Sequence, residues 1–259
     1  FTPTEIETFT ECPKRFALKY CQKVRPIKWQ AHKLKNNKRT KLRLSPSDRG
    51  NLYHEILQFY DMRRDELDTV IERALFNQHL IDEDGRIKAE CQLFMQNLRR
   101  DNLLRNFLFN NKESHEELSF SLNLNRFALT GQIDKLVKVN YENKDQWFII
   151  DYKTHHVLTE QERSRLLKRF HFQMSCYALA ITKKFDIPSI KSLILFTHGP
   201  TYFVFDHKQD ELKEFETKLN HLHIAYLESL NSGTFPLTDE PDNCRDCAYY
   251  TDNYCGIKK

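Results

Sequence analysis

The sequence predicts an α/β fold, a central sheet flanked by helices, on three observations. Apolar residues recur at helical spacing in several stretches before residue 110. Three strand-like runs follow from about Glu116, and the segment between the second and third is polar and turn-rich. A long amphipathic stretch at 159–184 then leads to two more strands and a last helix, so the order is helices, three strands, helix, two strands, helix.

In chain order, Pro3-Thr4-Glu5-Ile6-Glu7 opens a short helix, with Thr4 and Glu7 at capping-box spacing. Cys12-Pro13 interrupts it, and Pro13 suits the first turn of a second helix in which Phe16, Ala17 and Tyr20 recur. From Lys33 to Arg43 six of eleven residues are basic. Such a run is a solvated loop or, in a chain that handles nucleic acid, a segment that contacts phosphates, because Lys and Arg displace counterions there. After Ser45-Pro46-Ser47-Asp48-Arg49-Gly50 a helix is expected, with Leu52, Ile56, Leu57, Phe59 and Tyr60 as its apolar set and His54 within it. Further helices are expected at about 65–80 and 86–109, separated by the turn signal Asp82-Glu83-Asp84-Gly85.

The run Leu118–Leu124 alternates apolar and polar residues as a half-buried strand should, and Glu117 at its start reads as an exposed strand-end acid. The next run, Leu129–Val137, carries Asp134; the one after it, Trp147–Thr154, carries Asp151 and Lys153. The polar stretch from Val139 to Asp145 makes the two a hairpin. Asp151 and Lys153 are two apart and therefore share a face of an extended chain. An acid and a lysine at the end of an apolar strand can hold a divalent metal and aim a water. Together with Asp134 they give D-x16-D-x-K. The following helix starts at Thr159, with Glu162 as cap partner, and places Gln173 and Tyr177 on one face after Arg163, Arg165, Lys168 and Arg169. Strands at Ile190–Thr197 and Tyr202–Phe205 flank the turn His198-Gly199-Pro200, and a last helix runs from Gln209 to Ser232.

At 259 residues the chain can bury one good core or two small ones, and a single domain with an elaborated helical part is expected. The net charge of +4 is mild, so basicity matters only where it is local. No apolar run approaches the roughly 18 residues of a membrane span, and the opening residues do not resemble a signal peptide. The chain begins at Phe1, as expected of a piece excised from a larger protein. Seven cysteines, three of them in the last sixteen residues, fit metal or cluster ligation in a reducing compartment better than a secreted disulfide framework. Cys21, Cys91 and Cys176 fall in helical patterns and read as buried or half-buried thiols. There is no G-x4-G-K-[ST], so the chain supplies no P-loop ATPase.

Four elements stand in order: Gly50-x3-His54, Gly131-x2-Asp134, Asp151-Tyr152-Lys153 and Gln173-x3-Tyr177. In combination they resemble the PD-(D/E)xK nuclease superfamily, and within it the RecB-like branch. Cys12-Pro13 and Cys244-x2-Cys247-x7-Cys255 resemble the split cysteine set of its iron–sulfur members, AddB among them. The likeness spans nearly the whole chain. It implies a restriction-endonuclease-like mixed central sheet with flanking helices and a helical accessory region. The organisation it implies is one domain over 1–259: a cysteine helix and basic loop at 1–49, the accessory helices at 50–112, the nuclease core at 113–235 and the cysteine-rich tail at 236–259.

The resemblance also implies an activity, that of an Mg²⁺- or Mn²⁺-dependent deoxyribonuclease, exonuclease rather than endonuclease, acting on single-stranded DNA or DNA ends in repair or recombination. His54, Asp134, Asp151 and the Tyr152 carbonyl would be metal ligands, and Glu117, otherwise read as an exposed strand-end acid, resembles the family's additional carboxylate. Asp134, Asp151, Lys153, Gln173 and Tyr177 would carry catalysis. Lys38, Arg39, Lys41, Arg43, Arg165, Lys168 and Arg169 would bind DNA. Cys12, Cys244, Cys247 and Cys255 would hold a [4Fe–4S] cluster, with zinc as the alternative. DNA and a helicase domain or subunit would be the partners, in an intracellular, DNA-containing compartment away from membranes. Two other readings compete: a non-catalytic DNA-binding nuclease-fold module of a helicase–nuclease complex, and a zinc-stapled interaction protein. Both acids and the lysine are present, which favours the enzyme.

Overall fold

The computed structural model describes residues 1–26, 44–154, 160–197, 201–245, 247–251 and 254–255, without the side chains of 160–162, 165, 245 and 251. In chain order the first elements are α1 (Pro3–Glu11), α2 (Pro13–Phe16) with a π turn at Ala17–Cys21, α3 (Pro46–Phe59), α4 (Leu67–Asn77), α5 (Arg86–Arg100) and α6 (Asn102–Leu108). Then come β1 (Glu113–Leu124), β2 (Phe127–Tyr141), β3 (Lys144–Lys153), α7 (Glu160–Phe185), β4 (Ile190–Phe196), β5 (Thr201–His207) and α8 (Gln209–Ser232). Two short helices, α9 (Asp242–Arg245) and α10 (Ala248–Thr251), close the order. Contacts divide the chain into two compact units, one of 1–42, 121–130 and 213–259, the other of 43–120 and 131–212.

In the first unit the ends of the chain are tied together. The Lys14 N–H donates to the Pro236 carbonyl at 2.9 Å, Asn243 Nδ2 to the Glu11 carbonyl at 2.9 Å and the Tyr249 hydroxyl to the Val24 carbonyl at 3.0 Å. Leu18, Cys247 and Tyr249 are buried together. The capping box of α1 lies two residues earlier than the spacing of Thr4 and Glu7 predicts: Thr2 is the N-cap and Glu5 its partner. Pro3 is the reason, since a residue with fixed φ and no N–H suits the first helical position.

The second unit is built on the sheet, whose strand order is β1-β2-β3-β4-β5. β2 and β3 are antiparallel, β3 and β4 parallel, β4 and β5 antiparallel, so the sheet is mixed as expected. The parallel pair needs a long crossover, and α7 supplies it. The β2–β3 turn is tighter than its polar flanks suggest. Only Glu142 and Asn143 lie outside the strands, both at positive φ, as a two-residue hairpin turn requires.

The central strand β3 is buried on both faces. Phe148, Ile150 and Tyr152 belong to the core that Leu52, Ile56, Ile71, Met95, Leu98 and Phe107 of the accessory helices complete. Ile149, Asp151 and Lys153 alternate to the other face, where α7 packs. The predicted helix over 86–109 is two helices, because Asp101 accepts the N–H groups of Leu103 and Leu104, each at 2.9 Å, and so caps a new start. Ser45 caps α3 in the same way, so that helix begins at Pro46 and Gly50 lies inside it. Cys91 and Cys176 are fully buried, but Cys21 is exposed on the π turn. Among the described residues no helix is long and apolar enough to cross a membrane.

Candidate active site

The second unit brings the sequence-predicted residues to one end of β3. Continuing the β2–β3 register by one pair beyond Lys135 and Ile150 sets Asp134 opposite Asp151. Asp134 Oδ2 accepts the Tyr152 backbone N–H at 2.7 Å. The Tyr152 carbonyl lies 3.2 Å from His54 Nε2, which is 3.8 Å from Asp134 Oδ2. Lys153 Nζ sits 2.7 Å from Asp151 Oδ2, an ion-pair contact whose angles fall short of a hydrogen bond and leave that buried oxygen without one. From α7, Gln173 Nε2 donates to the Tyr177 hydroxyl at 2.7 Å and to Asp151 Oδ1 at 3.5 Å.

Two glycines make this convergence possible, and neither has an unusual backbone. A Cβ on Gly50 would lie 2.6 Å from Thr154 Cγ2, so only glycine lets α3 approach the end of β3 this closely. A Cβ on Gly131 would lie 2.8 Å from the Phe120 ring and 3.4 Å from Tyr177 Cε1. Its absence allows Phe120 and Tyr177 to meet edge to face, with centroids 5.7 Å apart, and fixes Tyr177 beside Asp151.

The electrostatics suit a cation. Burial first, then the charge of Asp151, holds the Asp134 carboxyl well above the usual carboxylate range. Burial pushes His54 below its ordinary value, so at neutral pH its ring is uncharged and can ligate. Behind the site, Lys135 is buried, pairs with Glu116 and donates to the Leu108 carbonyl at 3.3 Å.

Glu117, read from the sequence as a solvent-facing acid, is half-buried and takes part in this site. Ligand atoms of His54, Glu117 and Asp134 all lie within 4.8 Å of one another. Glu117 has φ of 50°, a left-handed conformation unusual for a residue other than glycine, within β1. The useful signal in the sequence was an acid on the strand that neighbours the one carrying Asp134. Asn51, Gln58 and Gln132, which line the cleft beside His54, carried no signal.

Lys168 and Arg169 are exposed on α7. The side chain of Arg165, and Lys38, Arg39, Lys41 and Arg43 entirely, lie outside the described residues, as does Thr159. In the first unit Cys12 and Cys247 are buried, Cys244 and Cys255 half-buried, and all four are free thiols. Burial, followed by Cys247, Cys12 and Cys244 in turn, pushes the Cys255 thiol up to about 11, so the four act on one another electrostatically. Cys12 Sγ also accepts the Arg15 N–H at 3.3 Å.

A mixed sheet with flanking helices, carrying two facing carboxylates and a lysine at its central strand, is the architecture of a nuclease fold. Residues 1–255 match the PD-(D/E)XK nuclease superfamily, and the chain belongs to that family. It is 24% identical over 180 residues to an ATP-dependent helicase/nuclease subunit from Oceanobacillus iheyensis, covering 60% of this chain and 14% of that protein. The chain thus spans about a seventh of the length of that curated relative. A crystal structure of a candidate exonuclease from Eubacterium rectale superposes with a TM-score of 0.52 at 10% identity, covering 100% of this chain and 88% of that one. That likeness bears on the fold, which is the restriction-endonuclease-like one.

Proposed function

We propose that the chain is a divalent-metal-dependent deoxyribonuclease of the RecB/AddB-like kind, acting on single strands or DNA ends in repair or recombination. The observation that carries this reading is the convergence of His54, Asp134, Asp151 and Lys153 at one end of β3. A divalent cation fits there: two carboxylates, a neutral imidazole and a backbone carbonyl form an oxygen-rich donor set, and ligand atoms of His54, Glu117 and Asp134 already lie within 4.8 Å of one another. His54, Asp134, Asp151 and the Tyr152 carbonyl would hold it, with Glu117 as a further carboxylate. When bound, such an ion neutralises phosphate charge and lowers the pKa of a coordinated water.

The side chains around it divide the remaining work. Lys153 Nζ, held by Asp151, orients the attacking water and offsets the charge that develops on the phosphate oxygens. Gln173 keeps Tyr177 fixed and steadies the strand or the water beside Asp151. Lys168 and Arg169, exposed on α7, contact the DNA backbone, and by resemblance Lys38, Arg39, Lys41, Arg43 and Arg165 are assigned the same role. Exonuclease action is favoured over endonuclease action, by resemblance.

The four cysteines are read as a structural staple between N-terminal helix and C-terminal tail, a [4Fe–4S] cluster with zinc as the alternative. The similarity to part of a helicase/nuclease favours an intracellular setting and a helicase partner, either a fused domain or a separate chain. The decisive experiment is Mg²⁺- or Mn²⁺-dependent degradation of single-stranded DNA by wild type, Asp151→Ala and Lys153→Ala. Loss of cleavage in both variants supports the enzyme; no cleavage by wild type supports the non-catalytic DNA-binding module; equal activity in all three removes the site.

A further inference from the structure

Beside the proposed metal residues, the face of α3 that carries His54 opens into a cleft of about 440 Å³. Asn51, His54 and Gln58 follow one another at three- and four-residue spacing, so they form a row along that face. Gln132 adds a further amide from β2, two residues before Asp134 and therefore on the same face of the strand. Phe59 stands at the other end of the cleft, 47% exposed, with the Arg73 guanidinium 5.0 Å from its ring centroid.

The chemistry of this lining is specific in what it omits and what it supplies. No lysine or arginine lines it among the described residues, so apart from the proposed metal ligands His54 and Glu117 it holds no group suited to a phosphate. It supplies amides instead. The side-chain amides of Asn51 and Gln58 make no hydrogen bond with another described residue, so each offers a donor and an acceptor. Gln78 Nε2 donates to the Glu55 carboxylate at 2.6 Å and Gln132 Nε2 to the Glu117 carbonyl at 3.4 Å, which leaves the side-chain oxygen of each as an acceptor. An exposed aromatic ring beside several amides is the equipment for stacking and edge-bonding a planar, polar heterocycle.

We propose that this cleft is the base subsite for a nucleotide flanking the scissile phosphate, with Gln58 and Gln132 bonding the base edge and Phe59 stacking on its face. The proposal rests on the nuclease reading and deepens it by assigning the residues that hold the base. A base paired in a duplex has its edge occupied and its faces stacked, so the subsite selects an unpaired strand. Amides that can both donate and accept suit any of the four bases, so the preference is for a single strand over a duplex and not for a sequence.

The test moves one abasic nucleotide position by position past the cleavage point of a single-stranded oligonucleotide, with wild type, Gln58→Ala and Phe59→Ala. Both substituted side chains are partly or largely exposed, so folding is not at stake. For wild type, one position raises KM about tenfold, the size expected of a lost stacking and edge contact, with little change in kcat. In each variant the normal strand has part of that rise in KM and the abasic step shrinks accordingly, and with both residues substituted the profile is flat or nearly so. The same ordering is read without cleavage from the Kd of a 2-aminopurine strand in EDTA. A wild-type profile that is flat, or one that persists unchanged in both variants, overturns the subsite while leaving cleavage intact. Failure of wild type to cleave with either metal is the separate failure of the nuclease reading.

Discussion

Asp134 Oδ2 accepts the backbone N–H of Tyr152 at 2.7 Å, so one strand's carboxylate is clamped to the peptide that joins Asp151 to Tyr152 on the next. The clamp keeps Asp134 facing a second buried acid, and although Lys153 offsets part of the repulsion, burial and Asp151 outweigh it, so the pair destabilises the fold until a metal ion joins it. Asp134→Asn keeps an oxygen to accept the Tyr152 N–H and removes one charge. In EDTA its melting temperature is expected to exceed that of wild type by a few degrees, at roughly 2–4 °C per kcal/mol for a chain of this size. Added Mg²⁺ raises the melting temperature of wild type and not that of the variant. A variant that melts below wild type in EDTA would show that the two carboxylates do not repel as argued.

Gly50 tests the close approach of α3 to β3. A Cβ there meets Thr154 Cγ2 at 2.6 Å, so Gly50→Ala forces apart the helix that carries His54 and the strand end that carries Lys153. Overpacking of this kind costs about 1–3 kcal/mol, more than alanine's helix propensity returns. Thr154→Ser deletes the methyl group concerned. Gly50→Ala alone should lower the urea midpoint, and the double substitution should recover most of the loss. A double variant no more stable than Gly50→Ala would place the clash elsewhere.

These two relationships show what the sequence could and could not disclose. The face shared by Asp151 and Lys153 was legible because strand periodicity is rigid, and the pairing with Asp134 followed from a polar turn between apolar runs. The helical spacing of Gln173 and Tyr177 survived for the same reason. What stayed hidden depends on three-dimensional approach. Glu117 reaches the site from a left-handed backbone position that no local pattern announces, and Asn51, Gln58 and Gln132 are polar residues with nothing in the chain to set them apart. Gly50 and Gly131 could be noticed as glycines, but the atoms they make room for, on Thr154, Phe120 and Tyr177, lie far away in sequence.

The cysteine set makes a separable prediction. Cys12 lies in the turn between α1 and α2, and Cys244, Cys247 and Cys255 lie at or between the last two helices and the tail, within a unit whose chain ends are already hydrogen-bonded together. Protein purified without oxygen should be brown, with absorbance near 400 nm, and Cys12→Ser should lose both the colour and several degrees of melting temperature, as removal of a ligand that closes so long a loop demands. A colourless protein carrying one zinc per chain would replace the cluster with the alternative, and a protein binding neither would leave the thiols as core.

His207 sets the acid limit of the second unit. It is buried at the end of β5, with Nε2 2.8 Å from the Ser192 hydroxyl. Burial first, then the neighbouring His171, pushes its pKa down to about 4; Asp206 raises it against them, and Lys191 lowers it further. The folded chain therefore keeps His207 neutral in a range where the unfolded chain, near the ordinary value of about 6.5, binds a proton. Stability rises with pH wherever the unfolded state holds more protons, so this residue makes no demand above about pH 6.5 and draws stability away as pH falls from there toward 4. At about 1.4 kcal/mol per unit the full window amounts to about 3–4 kcal/mol. His207→Gln retains a polar partner for Ser192 and cannot be protonated, so its stability measured by urea unfolding at half-unit steps should decline less steeply than that of wild type between pH 6.5 and 4. Parallel slopes for the two proteins would mean that His207 is not kept neutral by its surroundings.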